Sequence, residues 1–144
     1  MTVRQAQLSD AKEILKIVNS LYLDIPEFVW NKEPFVIQQI HSKEYFVAEE
    51  NGKILGAVSL RPRTKKVSIE TLIVRKEFQH KGVGSQLVEH ANQFSKEKGF
   101  DALHAYSFSE YHIADFYIKK GFVKMDTVGY YQGRAYDCFE MKLS

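Results

Sequence analysis

The stretch that decides the fold runs Val67-Ser-Ile-Glu-Thr-Leu-Ile-Val74 and continues Arg75-Lys-Glu-Phe-Gln-His-Lys-Gly-Val-Gly-Ser-Gln-Leu87. Its first part is rich in β-branched residues and ends at charged ones, which predicts a buried strand. From Gly82 onward the apolar residues recur at helical spacing, until Gly99 supplies a helix stop. They are Val83, Leu87, Val88, Ala91 and Phe94. The stretch therefore predicts a strand, a glycine-containing turn and a helix.

Such a turn forms an anion-binding site. The first amides of a helix have no intrahelical partner, and the helix dipole adds partial positive charge. Gly82 and Gly84 lack a Cβ, so an anion can approach the backbone, and His80 and Lys81 add donors or charge. The spacing excludes a P-loop, which needs Gly-x-x-x-x-Gly-Lys-Ser/Thr. A dinucleotide fingerprint also fails, because Leu87 stands where a third small residue is required.

Two motifs resemble those of the GCN5-related N-acetyltransferase (GNAT) family. Gln79-x-x-Gly82-x-Gly84 resembles the family's acetyl-coenzyme A signature. Phe116-Tyr117-x-Lys119-x-Gly121-Phe122 resembles its Phe-Tyr-x-Lys-x-Gly-Phe on the helix after the fifth strand. The resemblance covers nearly the whole chain and implies acetyl-CoA as cosubstrate and an amine as acceptor. No metal is expected, because the five histidines show no metal-ligand spacing. The alternative is an ordinary strand-to-helix turn with incidental glycines.

The composition indicates one globular domain over residues 1–144 that acts on a small substrate. The chain is 44% hydrophobic and 26% charged, and 20 basic residues balance 18 acidic ones. This balance argues against nucleic acid and an anionic membrane as partners. We find no apolar signal region or membrane span, and the single cysteine, Cys138, agrees with a cytoplasmic location. A homodimer is left open.

The order of elements predicts the fold class. After a short first strand, Ser9 or Asp10 caps a helix, and Asp10 with Glu13 resembles a capping box. A second helix starts near Pro34, and Asn51-Gly52 joins two strands in a hairpin. The whole order reads β-α-α-β-β-β-α-β-α-β-β. It predicts an α/β (α+β) fold with a mixed, mostly antiparallel sheet of six to seven strands and about four helices.

The end of the chain predicts a short helix and a last hairpin. The helix spans residues 109–122 and is stopped by Gly121. Two strands follow, over residues 123–131 and 136–143, joined around Gln132-Gly133-Arg134.

Acetyl transfer needs a neutral amine, and Glu70 is the candidate base. Deprotonating an amine of pKa about 10.4 near neutral pH costs about 4 kcal/mol. Members of the family that this chain resembles often carry a carboxylate at this point of the central strand. Alternation places Glu70 on the same strand face as Leu72 and Val74. The alternatives are a glutamate that pairs with a strand neighbour or orders water, and His104 or His112 as the base.

The departing thiolate needs a proton, and the resemblance implies Tyr117 as its donor. A phenol stays protonated at neutral pH, which suits this role. The alternative is an aromatic residue packed beside Phe116. For the oxyanion, the resemblance implies a backbone amide near Val74 on the central strand.

The resemblance also implies the cofactor contacts. Backbone groups of Leu72, Ile73 and Val74 would pair with the pantetheine arm, as an added strand does. The residues of the turn would cradle the pyrophosphate; they are Gln79, His80, Lys81, Gly82, Val83, Gly84 and Ser85. Lys119 or Lys120 would reach the remaining phosphate, unless both are simply solvated.

The resemblance also implies that two segments wall the acceptor side, residues 22–34 and 128–136. The first mixes acids with aromatics, namely Asp24, Glu27 and Glu33 with Tyr22, Phe28 and Trp30. Carboxylates beside aromatic faces suit a small cationic amine or an amine on a peptide. The alternative is that the acids are solvated and the aromatics pack in the core. A different functional class, a non-catalytic CoA-binding regulatory module, would keep the turn but has no need of Tyr117 and Glu70.

Overall fold

The computed structural model of the chain describes residues 1–21 and 29–143. Within these ranges the chain forms seven strands and four α-helices. The strands are β1 Thr2–Gln5, β2 Tyr45–Glu50, β3 Lys53–Pro62, β4 Lys66–Val74, β5 Ala102–Phe108, β6 Val123–Tyr131 and β7 Arg134–Lys142. The helices are α1 Ala11–Leu21, α2 Glu33–His41, α3 Val83–Glu97 and α4 Ala114–Lys119. Short 3₁₀ turns lie at Leu8–Asp10, Lys76–Phe78 and Ser109–Tyr111. None of these helices is both long and apolar enough to cross a bilayer.

The strands form one sheet in the order β1-β2-β3-β4-β5-β7-β6. β4 and β5 pair in parallel, with Lys66 opposite Ala102. The pairs β1–β2, β2–β3, β5–β7 and β6–β7 are antiparallel. The predicted order of elements and the mixed, mostly antiparallel α/β fold are therefore confirmed.

The chain divides into two compact units, the first of residues 1–21, 29–60 and 70–90, and the second of residues 61–69 and 91–143. In the first unit, α1 and α2 bury apolar residues against strand residues such as Tyr45, Val47 and Ala57. The helices contribute Ala11, Ile14, Ile17, Val18, Val36 and Ile40. Their spacing of three and four residues is the amphipathic pattern that made both helices predictable.

The first hairpin matches its prediction. Asn51 and Gly52 both have positive φ, 53° and 78°, as a two-residue turn between right-twisted strands requires. The cap of the first helix differs from its prediction. The Asp10 carboxylate accepts the Gln7 backbone N–H at 2.7 Å and binds Arg4, whereas Glu13 pairs with Arg75. The cause is the 3₁₀ turn at Leu8–Asp10, which moves the start of the helical region upstream.

The second unit contains β5, β6, β7 and α4, and two boundaries there differ from the predictions. The predicted helix over residues 109–122 is divided, because His112 takes a left-handed conformation with φ 52° between a 3₁₀ turn and α4. Strand β7 begins at Arg134 rather than at residue 136, because Gln132 and Gly133 alone form the turn. Gly121, with φ 101°, ends the helical region as predicted.

Candidate active site

Hydrogen bonds to residues of the first unit hold the turn between β4 and α3 in place. The Arg75 backbone N–H donates to the Leu55 carbonyl at 2.8 Å, and its side-chain Nε donates to the Ile54 carbonyl at 2.7 Å. After the 3₁₀ turn, the Gln79 side-chain amide donates back to the Val74 carbonyl at 3.0 Å. The start of the turn is thereby tied to the end of β4 and to β3. Gln79 thus uses its side chain to position the turn.

Backbone geometry makes the rest of the turn a cradle for an anion. Gly82 has φ 87°, and α3 begins directly after it, since the Gln86 N–H donates to the Gly82 carbonyl at 3.1 Å. Helix geometry leaves the N–H groups of Val83, Gly84 and Ser85 without intrahelical acceptors. A Cβ added to Gly82 would meet no atom within 4 Å, so the space in front of the backbone is open. Val83 itself is buried and fixes the helix to the core.

Two ammonium groups gather at this turn. The Lys53 Nζ lies 5.1 Å and the Lys81 Nζ 5.7 Å from the centroid of the Phe78 ring. Neither ammonium forms an ion pair with a carboxylate in the part of the chain that the structure describes. Lys81 was predicted here, whereas Lys53 was missed, because it stands at the start of β3 and no local pattern connects it with the turn. The pair adds positive charge where the helix dipole is also positive.

Gly56 is a second residue that the sequence analysis missed. A Cβ at this position of β3 would lie 2.5 Å from the Ile73 carbonyl oxygen and 3.2 Å from the Val74 Cα. It would also lie 3.3 Å from Leu87 on α3. The close approach fixes the path of the β4 segment that was predicted to hold the pantetheine arm. A glycine in a strand interior is a signal of such an approach.

Glu70 lies on the face of β4 that was predicted. Along the strand, Thr71 and Ile73 are buried, whereas Glu70, Leu72 and Val74 are partly exposed. The Glu70 carboxylate accepts a hydrogen bond from the Trp30 indole, with 3.2 Å between Nε1 and Oε2. Trp30 belongs to the first predicted acceptor segment. Glu33 of the same segment is exposed, and Tyr22, Asp24, Glu27 and Phe28 lie outside the described residues.

Tyr117 and Lys119 belong to the second unit. The Tyr117 side chain is 2% exposed; its ring stacks on Phe139 at 4.9 Å and meets Phe116 and Phe122 edge-on. Burial raises the pKa of Tyr117 above its usual value, so the phenol stays protonated at neutral pH. Lys119 is exposed, and both its role and that of Tyr117 stay predictions.

The histidines considered as alternative bases have different surroundings. His104 is buried on β5; its Nε2 lies 2.8 Å from the Glu140 carboxylate, and its Nδ1 lies 3.5 Å from the Lys66 ammonium. Both ring nitrogens therefore have partners within the second unit. His112 is exposed at the left-handed position before α4. In the described ranges, no group of three or more His, Cys, Asp or Glu residues is arranged to hold a metal ion.

The second predicted acceptor segment is the β6–β7 hairpin. Tyr130 is 72% exposed near its tip. The Arg134 guanidinium donates to the Glu110 carboxylate at 2.6 Å, and Tyr136 meets Tyr106 edge-on at 6.0 Å. Arg134 is thereby partly neutralised.

The structure is that of an α/β protein with a mixed seven-stranded sheet and a strand-to-helix turn whose geometry suits an anion. The model of the GNAT acetyltransferase domain matches residues 41–124, which include β4, the turn and α3. The chain therefore belongs to the GNAT family of acyltransferases, as its motifs predicted.

Known proteins support this assignment. The chain is 33% identical over 98 residues to an uncharacterized N-acetyltransferase of Chlorobaculum tepidum. That match covers 67% of this chain and 61% of the relative, so the chain spans less than two thirds of that protein's length. The fold of this chain is similar to that of the ribosomal-protein-alanine N-acetyltransferase of Brucella melitensis. The TM-score is 0.83 and the identity 18%, over 99% of this chain and 100% of the other. The PaiA N-acetyltransferase of Thermoplasma acidophilum, solved in complex with coenzyme A, gives a TM-score of 0.81 and 19% identity over 98% of each chain.

Proposed function

We propose that the protein is an acetyl-CoA-dependent N-acetyltransferase. It transfers the acetyl group to a primary amine of a small cationic molecule or of a peptide, by direct attack of the amine on the thioester. The observation that carries this proposal is the turn from Gln79 to Ser85, where an open glycine, the first amides of α3 and the ammonium groups of Lys53 and Lys81 lie together.

The turn fits the cofactor on three grounds. The N–H groups at the start of α3 suit the oxygens of a pyrophosphate. The open space at Gly82 lets those oxygens reach the backbone. The Lys53 and Lys81 ammonium groups compensate phosphate charge, and coenzyme A bound to the Thermoplasma acidophilum neighbour supports this ligand. Acetyl-CoA would supply an acetyl group activated as a thioester.

The remaining chemistry is assigned to the chain's own side chains. The Glu70 carboxylate, partly exposed beside Leu72 and Val74, accepts the proton that the amine must lose. Tyr117, kept protonated by burial, donates a proton to the thiolate. Backbone groups of residues 72–74 align the pantetheine arm, and Gly56 sets the path of this segment.

The acceptor class follows from the Trp30–Glu70 pair. A carboxylate held beside an indole offers an ammonium group both an ion pair and an aromatic face. Such contacts contribute about 1–2 kcal/mol when they are partly desolvated. This favours a cationic amine over a neutral or anionic one. A cytoplasmic location accords with Cys138 as the single cysteine, since disulfides are rare there.

Calorimetry on one pair of variants tests the cofactor site. Gly82→Asp places a carboxylate and extra bulk in the cradle, and we expect acetyl-CoA binding to be lost. Gly99→Asp is the matched control, because Gly99 also has positive φ, 79°, and no atom within 4 Å of an added Cβ. We expect it to keep the parent's affinity. Unchanged affinity in Gly82→Asp would show that the phosphates bind elsewhere.

A second measurement separates an enzyme from a regulatory module. Free thiol release is followed with polyamines, aminoglycosides, amino acids and peptide amines as acceptors. We expect turnover, with cationic amines preferred. Tight acetyl-CoA binding without turnover on any of them would favour the non-catalytic alternative.

A further inference from the structure

One long-range hydrogen bond connects the segment before α2 with the central strand. The Trp30 Nε1 donates to the Glu70 Oε2 at 3.2 Å, although the two residues are 40 positions apart. Trp30 is the chain's single tryptophan, and its indole N–H is the one polar group of its side chain. The contact with Glu70 therefore engages the polar group of the indole.

Trp30 is itself held in place. Its ring meets Phe35, on the first turn of α2, edge-on at 6.3 Å between centroids. A turn encloses it, because the Lys32 N–H donates to the Val29 carbonyl at 3.0 Å. The Asn19 side chain on α1 donates to the Asn31 carbonyl at 3.3 Å and fastens the same turn. The indole thus reaches β4 from a fixed position on the first unit.

The contact restricts the orientation of the Glu70 side chain. An indole N–H can only donate, so it needs an acceptor, and the Glu70 Oε2 supplies one. A glutamate side chain can rotate about three bonds, and a hydrogen bond to a fixed partner restricts that rotation. The contact therefore favours one orientation of the carboxylate, as a positioned base requires.

We propose that Trp30 is a positioning residue that holds the Glu70 carboxylate for proton removal from the acceptor. The inference rests on the proposed function. In that step the carboxylate takes a proton from the ammonium group, and the freed nitrogen lone pair attacks the thioester carbon. The C–S bond then breaks and the sulfur takes a proton from Tyr117, while the second proton of the nitrogen is released as the amide forms and restores the Tyr117 phenol. Trp30 does not touch the reacting atoms and acts through Glu70.

A double-mutant cycle tests the role. Trp30→Phe keeps a ring against Phe35 and removes the donor, whereas Glu70→Gln removes the base. We expect kcat/KM to fall about 10-fold in Trp30→Phe and about 100-fold in Glu70→Gln. The double variant should fall no further than Glu70→Gln, because Trp30 has no function without the carboxylate. Effects that multiply to about 1000-fold, or an unchanged Trp30→Phe, would overturn the inference.

A measurement without turnover tests the contact itself. Trp30 gives the protein's entire tryptophan fluorescence, so its emission reports the partner of the indole N–H. We expect Glu70→Ala, which removes the acceptor, to shift that emission, and Glu97→Ala, on the last turn of α3, to leave it unchanged. Unshifted emission in Glu70→Ala would overturn the contact. We also expect acetyl-CoA affinity in Trp30→Phe to equal the parent's, and a loss of affinity would assign Trp30 to the fold instead.

The two hypotheses fail in different ways. A parent protein that binds acetyl-CoA but turns over no amine would overturn the proposed function and the catalytic role of Trp30 together. An active parent whose Trp30→Phe variant is equally active would overturn the role of Trp30 alone.

Discussion

Replacing Gly56 by alanine is expected to damage both stability and cofactor binding, although Gly56 lies outside the turn. The new Cβ would lie 2.5 Å from the Ile73 carbonyl oxygen, whereas carbon–oxygen contacts are normally about 3.3 Å or longer. The carbonyl must therefore move by about 0.8 Å, and the Val74 Cα and the Leu87 side chain leave little room for it. Overpacking of this kind costs up to about 3 kcal/mol.

That cost can be converted into a melting temperature. A chain of 144 residues unfolds with an entropy of about 300 cal/mol/K, so 3 kcal/mol corresponds to about 10 °C. The displaced carbonyl also moves the backbone that is proposed to hold the pantetheine arm. We therefore expect acetyl-CoA affinity to fall about 10-fold, which is about 1.4 kcal/mol.

Thermal unfolding followed by circular dichroism, with calorimetry on the same samples, measures both effects. Gly99→Ala is the control: its positive φ of 79° costs about 1 kcal/mol, but no atom obstructs the Cβ. We expect it to melt about 3 °C below the parent and to bind acetyl-CoA normally. Should Gly56→Ala melt within about 2 °C of the parent and keep its affinity, the close approach does not constrain β4 and the reasoning is wrong.

Three further predictions follow from contacts described above. Tyr117→Phe removes the proton donor and keeps the stacked ring. We therefore expect kcat to fall at least about 10-fold, while the acetyl-CoA affinity measured by calorimetry stays within about 2-fold of the parent's. A kcat equal to the parent's would assign Tyr117 to packing. Lys53→Gln removes one of the two charges at the turn and should weaken acetyl-CoA binding about 3-fold. The control is Lys98→Gln, which should leave binding unchanged; the Lys98 Nζ also lies over an aromatic ring, 5.0 Å from the Phe94 centroid. Equal effects of the two variants on binding would show that Lys53 has no role in it. Hydrogen bonds from Arg4, and to a smaller extent from the Gln7 backbone amide, lower the pKa of Asp10 in the folded protein. The ionised carboxylate therefore stabilises the fold by about 1 kcal/mol at a pH above the pKa of Asp10 in the unfolded chain. This stabilisation is lost as the pH falls through the pKa of Asp10 in the folded protein. Urea unfolding should therefore separate Asp10→Asn from the parent at pH 7 but not near pH 2, and a constant gap would contradict this.

The sequence was informative where the physics is local. Strand β4, the turn and α3 are specified by β-branched residues, two glycines and a helical period within one short stretch. The Asn51-Gly52 hairpin is equally local, because only a few residues tolerate positive φ at both turn positions. Errors arose at boundaries, as at Arg134, since a two-residue turn and a longer loop share the same composition.

The side-chain contacts of the site were less predictable, because they join residues that are distant along the chain. Trp30 meets Glu70 across 40 positions, and no periodic pattern relates them. Lys53 lies near the turn between β4 and α3 only because β3 begins beside it. Gly56 could have been suspected, since a glycine inside a strand is unusual, but the sequence does not say which backbone approaches it.

The anchoring of the turn also bears on how well this site withstands mutation. The side chains of Arg75 and Gln79 donate to main-chain carbonyls, those of Ile54 and Val74. A main-chain carbonyl is supplied by whatever amino acid occupies the position, so exchanges among apolar residues at 54 and 74 leave the acceptors in place. The two donors have no such redundancy. In a library of random variants selected for activity, positions 75 and 79 should therefore resist substitution, while positions 54 and 74 are free to vary among apolar residues.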